Sequence, residues 1–172
     1  KIKMKEEIKF AKEEADAVIL SLHFGNEYER YPNDKQKEIV QFAADQGVHA
    51  VIGHHPHVLQ PLEWVTGVDG NETLVAYSLG NFLSNQQGLY RRIGGILNFS
   101  ITKKINGEVE NIRVHSPSFI STYVTFESDW SNYKIKPMSK LNNKELENAD
   151  AHSEEIKSHL SQWMPDLEFL EG

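Results

Sequence analysis

Met4, Ile8, Ala11 and Ala15 recur at near-helical spacing among lysines and glutamates, which predicts an amphipathic helix over residues 3–15. The next run, Ala17-Val18-Ile19-Leu20-Ser21-Leu22, is continuously apolar apart from one serine. Such a run predicts a fully buried strand, and a buried strand following a helix points to a parallel sheet. It ends at His23-Phe24-Gly25-Asn26-Glu27. A second helix is predicted from Asp34 to Gln46, with Asn33 as N-cap, Ile39, Val40, Phe42 and Ala43 facing inward and Gly47 as the stop. A second short apolar run then leads into Gly53-His54-His55-Pro56-His57-Val58. The first sixty residues therefore spell helix, strand, helix, strand, and both strands end in histidine.

Residues 58–65 read as extended, 66–71 as a glycine-rich turn, and Thr73-Leu74-Val75-Ala76-Tyr77-Ser78 as another apolar strand that breaks at Leu79-Gly80-Asn81-Phe82. A polar loop over residues 83–92 ends in Arg91-Arg92. From Gly94 the pattern alternates, with strands over Ile96–Ile101 and Val109–Val114 joined by an Asn106-Gly107 hairpin turn. Residues 117–137 continue as β or irregular structure rich in aromatics. A helix is predicted from about Leu141 to Trp163, with Pro165 ending it. No repeat or low-complexity linker divides the chain, so it reads as one domain: a motif-bearing α/β part over 1–103, a β-rich part over 104–140 and a helical tail over 141–172.

The histidine cluster carries the chemistry. Pro56 fixes its own φ and biases His55 toward an extended conformation. Alternation along an extended pair predicts that His55 and His57 point the same way while His54 faces the other side. Neutral imidazole is a common ligand for zinc and related metals. Parallel α/β sheets bind ligands at the carboxyl ends of their strands, which is where His23, His55 and His57 fall. Glu27 is a candidate ligand, a carboxylate that holds an imidazole, or a general base; a solvated loop acid is the competing reading. Asn81 either orients a ligand or satisfies a turn. Arg91 and Arg92 either clamp a carboxylate or phosphate of the substrate or remain solvated loop charges.

Composition narrows the ligand chemistry. The 172 residues contain no cysteine, so any metal must sit on His, Asp, Glu or Asn. A formal net charge of −7, spread along the chain, argues against nucleic acid or an anionic membrane as partner and repels an acidic polymer at long range. No apolar run approaches the length of a membrane span. The chain opens on Lys1-Ile2-Lys3-Met4-Lys5, which reads as the inside of a helix. The expectation is a segment of a longer, membrane-anchored precursor whose export signal or anchor lies before it.

Taken together, His23-Phe24-Gly25-Asn26-Glu27, Gly53-His54-His55-Pro56-His57-Val58-Leu59-Gln60 and Tyr77-Ser78-Leu79-Gly80-Asn81-Phe82 closely resemble the motifs of the bacterial capsule synthesis proteins, also described as poly-γ-glutamate synthesis proteins. The resemblance covers about residues 16–100. It implies a fold similar to the calcineurin-like metallophosphoesterases, a four-layer αββα sandwich of the α/β (α+β) class with a two-metal site, of which this chain would be the C-terminal half. By the same resemblance His23, His55 and His57 are metal ligands, with His55 and His57 each on a different ion. Glu27 and His57 are the candidates for moving a proton, and Asn81, Arg91 and Arg92 the candidates for binding substrate. The implied cofactors are divalent ions (Mn, Fe or Zn).

The family's opening aspartate motif, its next acidic residue and its Asn-His motif would all lie upstream of Lys1. The expectation is that this segment by itself holds one metal weakly or none, is inactive as an enzyme, and needs the N-terminal half or a second chain along its sheet edge. Two functions of different class follow. One is a metal-dependent hydrolase acting on a capsule polymer or its precursor. The other is a non-catalytic component of a membrane-bound complex that synthesises or exports the polymer. Both place the protein at the extracellular face of the cell membrane, with an anionic polymer or small precursor and other capsule synthesis proteins as partners.

Overall fold

The computed structural model describes residues 2–106 and 109–172. Helix α1 (Ile2–Glu14) leads into strand β1 (Ile19–His23), helix α2 (Asp34–Asp45) and strand β2 (Ala50–His54), followed by β3 (Leu62–Thr66) and β4 (Glu72–Ala76). After a 3-10 turn at Leu89–Arg92 come the long strands β5 (Ile93–Asn106) and β6 (Val109–Thr125) and the short β7 (Lys134–Pro137). A second 3-10 turn (Met138–Lys140), helix α3 (Ala149–Ser161) and strand β8 (Glu168–Phe169) complete the chain. The result is a mixed α/β fold with two four-stranded sheets, as the α+β reading expects.

The first sheet has the order β1-β2-β4-β3, in which β1, β2 and β4 are parallel and β3 runs antiparallel to β4. Alternation along its strands sends side chains to two separate cores. Val51, Val75 and Tyr77 join Ile8, Val40 and Ala43 beneath α1 and α2. Ala50, Leu62, Leu74 and Ala76 join Ile93, Phe119 and Tyr123 of the second sheet, together with Ile156 and Leu160 of α3. The first sheet is thus sandwiched between a helical layer and the second sheet, and each of its central strands must be apolar on both faces. Helix α3 packs against β3, β6 and the 138–140 turn.

The second sheet has the order β5-β6-β7, with β8 pairing along β6. β5 and β6 form one long antiparallel hairpin whose register shifts between Asn98 and Ser100. Opposite that shift lie Ser116, at φ 53°, and Pro117, which has no N–H for a ladder bond. A bulge is where a strand tolerates proline. Asn106 pairs with Val109; Gly107, half of the expected Asn-Gly turn, lies outside the described residues.

Helix α2 follows its sequence signals closely. The Asn33 side chain accepts from the Gln36 N–H, and the Gln36 side chain accepts from the Asn33 N–H, a reciprocal capping box. Gly47 closes the helix at φ 75°. Three expectations fail. β1 is not fully buried: its residues alternate, and Ile19 remains 49% exposed. The cause is its place at the edge of the sheet, where only β2 lies alongside. The C-terminal helix starts at Ala149 rather than near Leu141. Asn142 instead makes a turn, accepting at its side chain from the Lys144 N–H while its own N–H donates to Glu145, and Asn148 sits at φ 56°. The third concerns the histidine pair and is described below.

Candidate metal centre

β1 and β2 run parallel and in register, so His23 pairs with His54 and both strands end at one edge of the sheet. Glycine at position 53 is required there. A Cβ on Gly53 would lie 2.0 Å from the Tyr77 carbonyl oxygen of β4's continuation and 2.8 Å from the Phe24 ring. The loop after β1 is then laced to the histidine turn by backbone bonds: Phe24 N–H donates to the His54 carbonyl (3.0 Å) and Tyr28 N–H to the Pro56 carbonyl (2.7 Å).

The turn itself is not the extended dipeptide that Pro56 suggests. His55 has φ 102° and His57 φ 59°, and Tyr28 facing them has φ 66°. Proline excludes the right-handed helical region for the residue before it, but positive φ escapes that clash, and here the chain takes it. Non-glycine residues held at positive φ are uncommon and cluster at functional sites. The two imidazoles therefore converge because the backbone turns between them, not because alternate residues of a strand share a face.

Three side chains offer ligand atoms that all lie within 4.8 Å of one another: the Glu27 carboxylate, His55 and His57. Bonds of about 2.0–2.2 Å to a common ion would bring such atoms somewhat closer, a change within reach of side-chain rotation. Both imidazoles are half-buried and Glu27 is exposed, so the group opens to solvent on its carboxylate side. The His23 ring lies 4.6 Å from that of His55, centre to centre, and the His55 ring 6.0 Å from that of His57. Of the three histidines named from the sequence, His55 and His57 join Glu27 in the close group, while His23 lies beside the His55 ring and is not a member of it. His54 closes β2 and is not a member of it.

Asn81 decides which nitrogen of His57 is available. Its amide nitrogen donates to two carbonyls, those of His57 (3.2 Å) and Arg91 (2.9 Å). Its Oδ1 must then face the ring, 2.8 Å from His57 Nδ1. An oxygen accepts only, so Nδ1 carries the proton and Nε2 keeps its lone pair for a ligand-type bond. Asn81 is 8% exposed and sits where Gly94 lets β5 pass within contact of its backbone. One side chain thus bonds both the carbonyls of its turn and the His57 ring.

The two arginines separate. Arg91 lies over the Tyr28 ring at 4.8 Å, and that ring is 6.1 Å from His57, so its charge borders the site. Arg92 turns away: its Nε donates to the Val124 carbonyl and its guanidinium packs on Tyr123 and Phe126. Three participants were not legible in the sequence. Tyr28 depends on a positive φ that no motif announces, while Gln36 and Gln60 look like ordinary polar residues of a helix and a loop. A cleft of about 460 Å³ lined by His49, Trp64, Arg113 and His115 lies at the opposite end of β2 and contains none of the site residues.

The family model described as bacterial capsule synthesis protein PGA_cap matches residues 1–86. Over 107 residues the chain is 37% identical to the PGA biosynthesis protein CapA of Bacillus subtilis (strain 168), covering 61% of this chain and 27% of that protein. Over 72 residues it is 36% identical to the capsule biosynthesis protein CapA of Bacillus anthracis, covering 42% of this chain and 16% of the relative. The matched stretches are therefore about a quarter or less of these relatives' length. With half of its 172 residues inside the family model, among them His23, Glu27, His55, His57 and Asn81, the chain belongs to the bacterial capsule synthesis protein family.

Proposed function

We propose that this chain carries part of the metal site of a capsule biosynthesis protein, and that the intact protein is a metal-dependent hydrolase acting on poly-γ-glutamate or a precursor of it. The observation that carries this reading is the convergence of Glu27, His55 and His57 within 4.8 Å, with Asn81 fixing the His57 tautomer. A site of two imidazoles and one carboxylate suits a divalent ion such as Mn, Fe or Zn. Glu27, His55 and His57 would hold the ion, with His23 beside His55. When bound, such an ion acidifies a coordinated water and polarises the bond to be cleaved.

The chain's own groups would do the rest. Arg91, supported on Tyr28, would draw a substrate carboxylate toward the imidazoles, where a local cation offsets the repulsion that the net charge of −7 imposes at long range. Glu27, exposed to solvent, would take up a proton on the carboxylate oxygen that does not hold the ion. Asn81 would hold the neutral His57 ring in the tautomer whose Nε2 can bind the ion. The uncovered edge of β1, with Ile19, Ser21 and His23 exposed, supports a partner there: the rest of the longer protein or a second chain. We place the assembled protein on the extracellular side of the cell membrane, with other capsule synthesis proteins.

The test is elemental analysis of the protein after dialysis against Mn, Fe and Zn, beside His55→Ala. The reading expects retained metal in the parent, loss of it in the variant, and loss of polymer cleavage by the intact protein carrying the same substitution. Metal-free protein in which His55→Ala still supports capsule production would overturn the hydrolase reading in favour of a non-catalytic part of the polymer-making complex.

A further inference from the structure

We infer that Gln36 and Gln60 are positioning residues, a buried amide pair that sets how closely the Glu27 loop lies on the His55–His57 turn. The inference rests on reading Glu27, His55 and His57 as one site. Gln60 is fully buried and Gln36 is 1% exposed, although an amide taken from water costs free energy unless it is hydrogen-bonded. Both amides are paired, and their bonds run in one direction. Gln60 Nε2 donates to the Glu29 carbonyl (2.8 Å), so its Oε1 faces Gln36 and accepts from Gln36 Nε2 (2.9 Å). Gln36 Oε1 is then left to accept from the Asn33 N–H (3.1 Å).

The two outer bonds of the three land on the same segment. Glu29 and Asn33 are backbone points on the loop between β1 and α2, and Gly25, at its start, packs so closely on the Gln36 amide that a Cβ there would lie 2.6 Å away. The loop carries Glu27 two residues before Glu29. Gln60 follows His57 by three residues, through Val58 and Leu59, both 2% exposed, so it moves with the histidine turn. Gln36 is rooted in the first turn of α2 by the capping box. The pair therefore ties the carboxylate's loop to the imidazoles' turn from beneath. Methionines of similar volume would fill the same space, yet would leave the Glu29 carbonyl and the Asn33 N–H without these partners and hold the loop by nothing directional. A glutamate at either position would set an oxygen against an oxygen or remove the donor, so the sequence of bonds requires two amides.

Gln60→Met tests this with two readouts. By hydrogen exchange, the Tyr28 amide, bonded to the Pro56 carbonyl, is expected to lose at least tenfold more protection than the Val75 amide of the central strand β4. By zinc titration, affinity is expected to fall roughly ten- to a hundredfold, with little further loss when Gln60→Met is added to Glu27→Ala, because the lost carboxylate is the same in both. Equal loss of protection at Tyr28 and Val75 would overturn the inference, as would a zinc penalty of the same size in the Glu27→Ala background. Should the parent chain take no zinc, the metal reading falls alone, and the exchange comparison, which needs no ion, decides the positioning role. Gln60→Asn, which keeps both amide groups but shortens the reach, serves if Gln60→Met does not fold.

Discussion

Asn81 Oδ1 sits 2.8 Å from His57 Nδ1, and the two carbonyls on its other side leave it no freedom to turn over. One side chain thereby closes a turn and sets the tautomer of a candidate ligand. Asn81→Ala should lower metal affinity about ten- to a hundredfold, the usual effect of removing a partner from a ligating imidazole. Asn81→Asp keeps the acceptor for Nδ1 but sets its second oxygen against the His57 and Arg91 carbonyls, so it should recover only part of the affinity lost in Asn81→Ala and should also lower stability. Zinc titration of the two variants checks the order.

Gly53→Ala should damage the fold rather than the ligands. Its Cβ would meet a backbone carbonyl, Tyr77 O, at 2.0 Å, and backbone cannot step aside as a flexible side chain can. A cost of about 1–3 kcal/mol or more is expected, seen as a lower midpoint in urea. Gly70→Ala, where no heavy atom lies within 4 Å of the new Cβ, suffers only its φ of 80° and should cost less.

Stability should fall as the solution is acidified below neutrality, and His49 is one cause. Burial, then the Lys12 charge, holds its pKa below the ordinary 6.5. Its Nδ1 accepts the Val18 N–H at 3.0 Å, a bond available only while that nitrogen is unprotonated. The folded state binds the proton less readily than the unfolded chain. The stabilisation is therefore complete above 6.5 and is lost as the pH falls through 6.5 toward the lowered folded value. His159, depressed by burial and by Arg30, adds in the same direction. Urea unfolding at pH 7.5 and 5.5 should show the drop, and His49→Gln should reduce it.

Tyr77 is 1% exposed and donates its hydroxyl to Glu63 Oε1 at 2.5 Å. Burial first, and the Glu63 carboxylate second, push the phenol well above its ordinary pKa, so the hydroxyl is a donor at neutral pH. Tyr77→Phe should cost about 0.5–1.5 kcal/mol. Thermal unfolding of that variant beside Glu63→Gln, which keeps an acceptor, measures the bond.

Ile19→Lys should leave the stability of this chain unchanged within about 0.5 kcal/mol, because a half-exposed edge position has little packing to lose. Under the proposed function its effect falls on association with the partner proposed for the β1 edge, measured as reduced binding of that partner.

Local chemistry made part of this protein legible from its residues alone. The N-cap of α2 and the glycine that ends it are decided by residues at the helix ends themselves, so Asn33 and Gly47 could be read directly. The apolar runs of β2 and β4 announced central strands, because a strand between two layers is buried on both sides. The histidines at strand ends pointed to a shared edge of the sheet, since parallel strands deliver their C-termini to one side. What sequence could not decide is anything that depends on a distant neighbour. β1 has the composition of a central strand but lies at an edge, where solvent replaces a partner. His55 and His57 converge through positive φ, held by bonds from a loop thirty residues earlier. The joint presence of Glu27 with them, and the amides of Gln36 and Gln60 beneath, arise only when two loops are packed face to face, because hydrogen bonds between segments are set by tertiary distance and not by order along the chain.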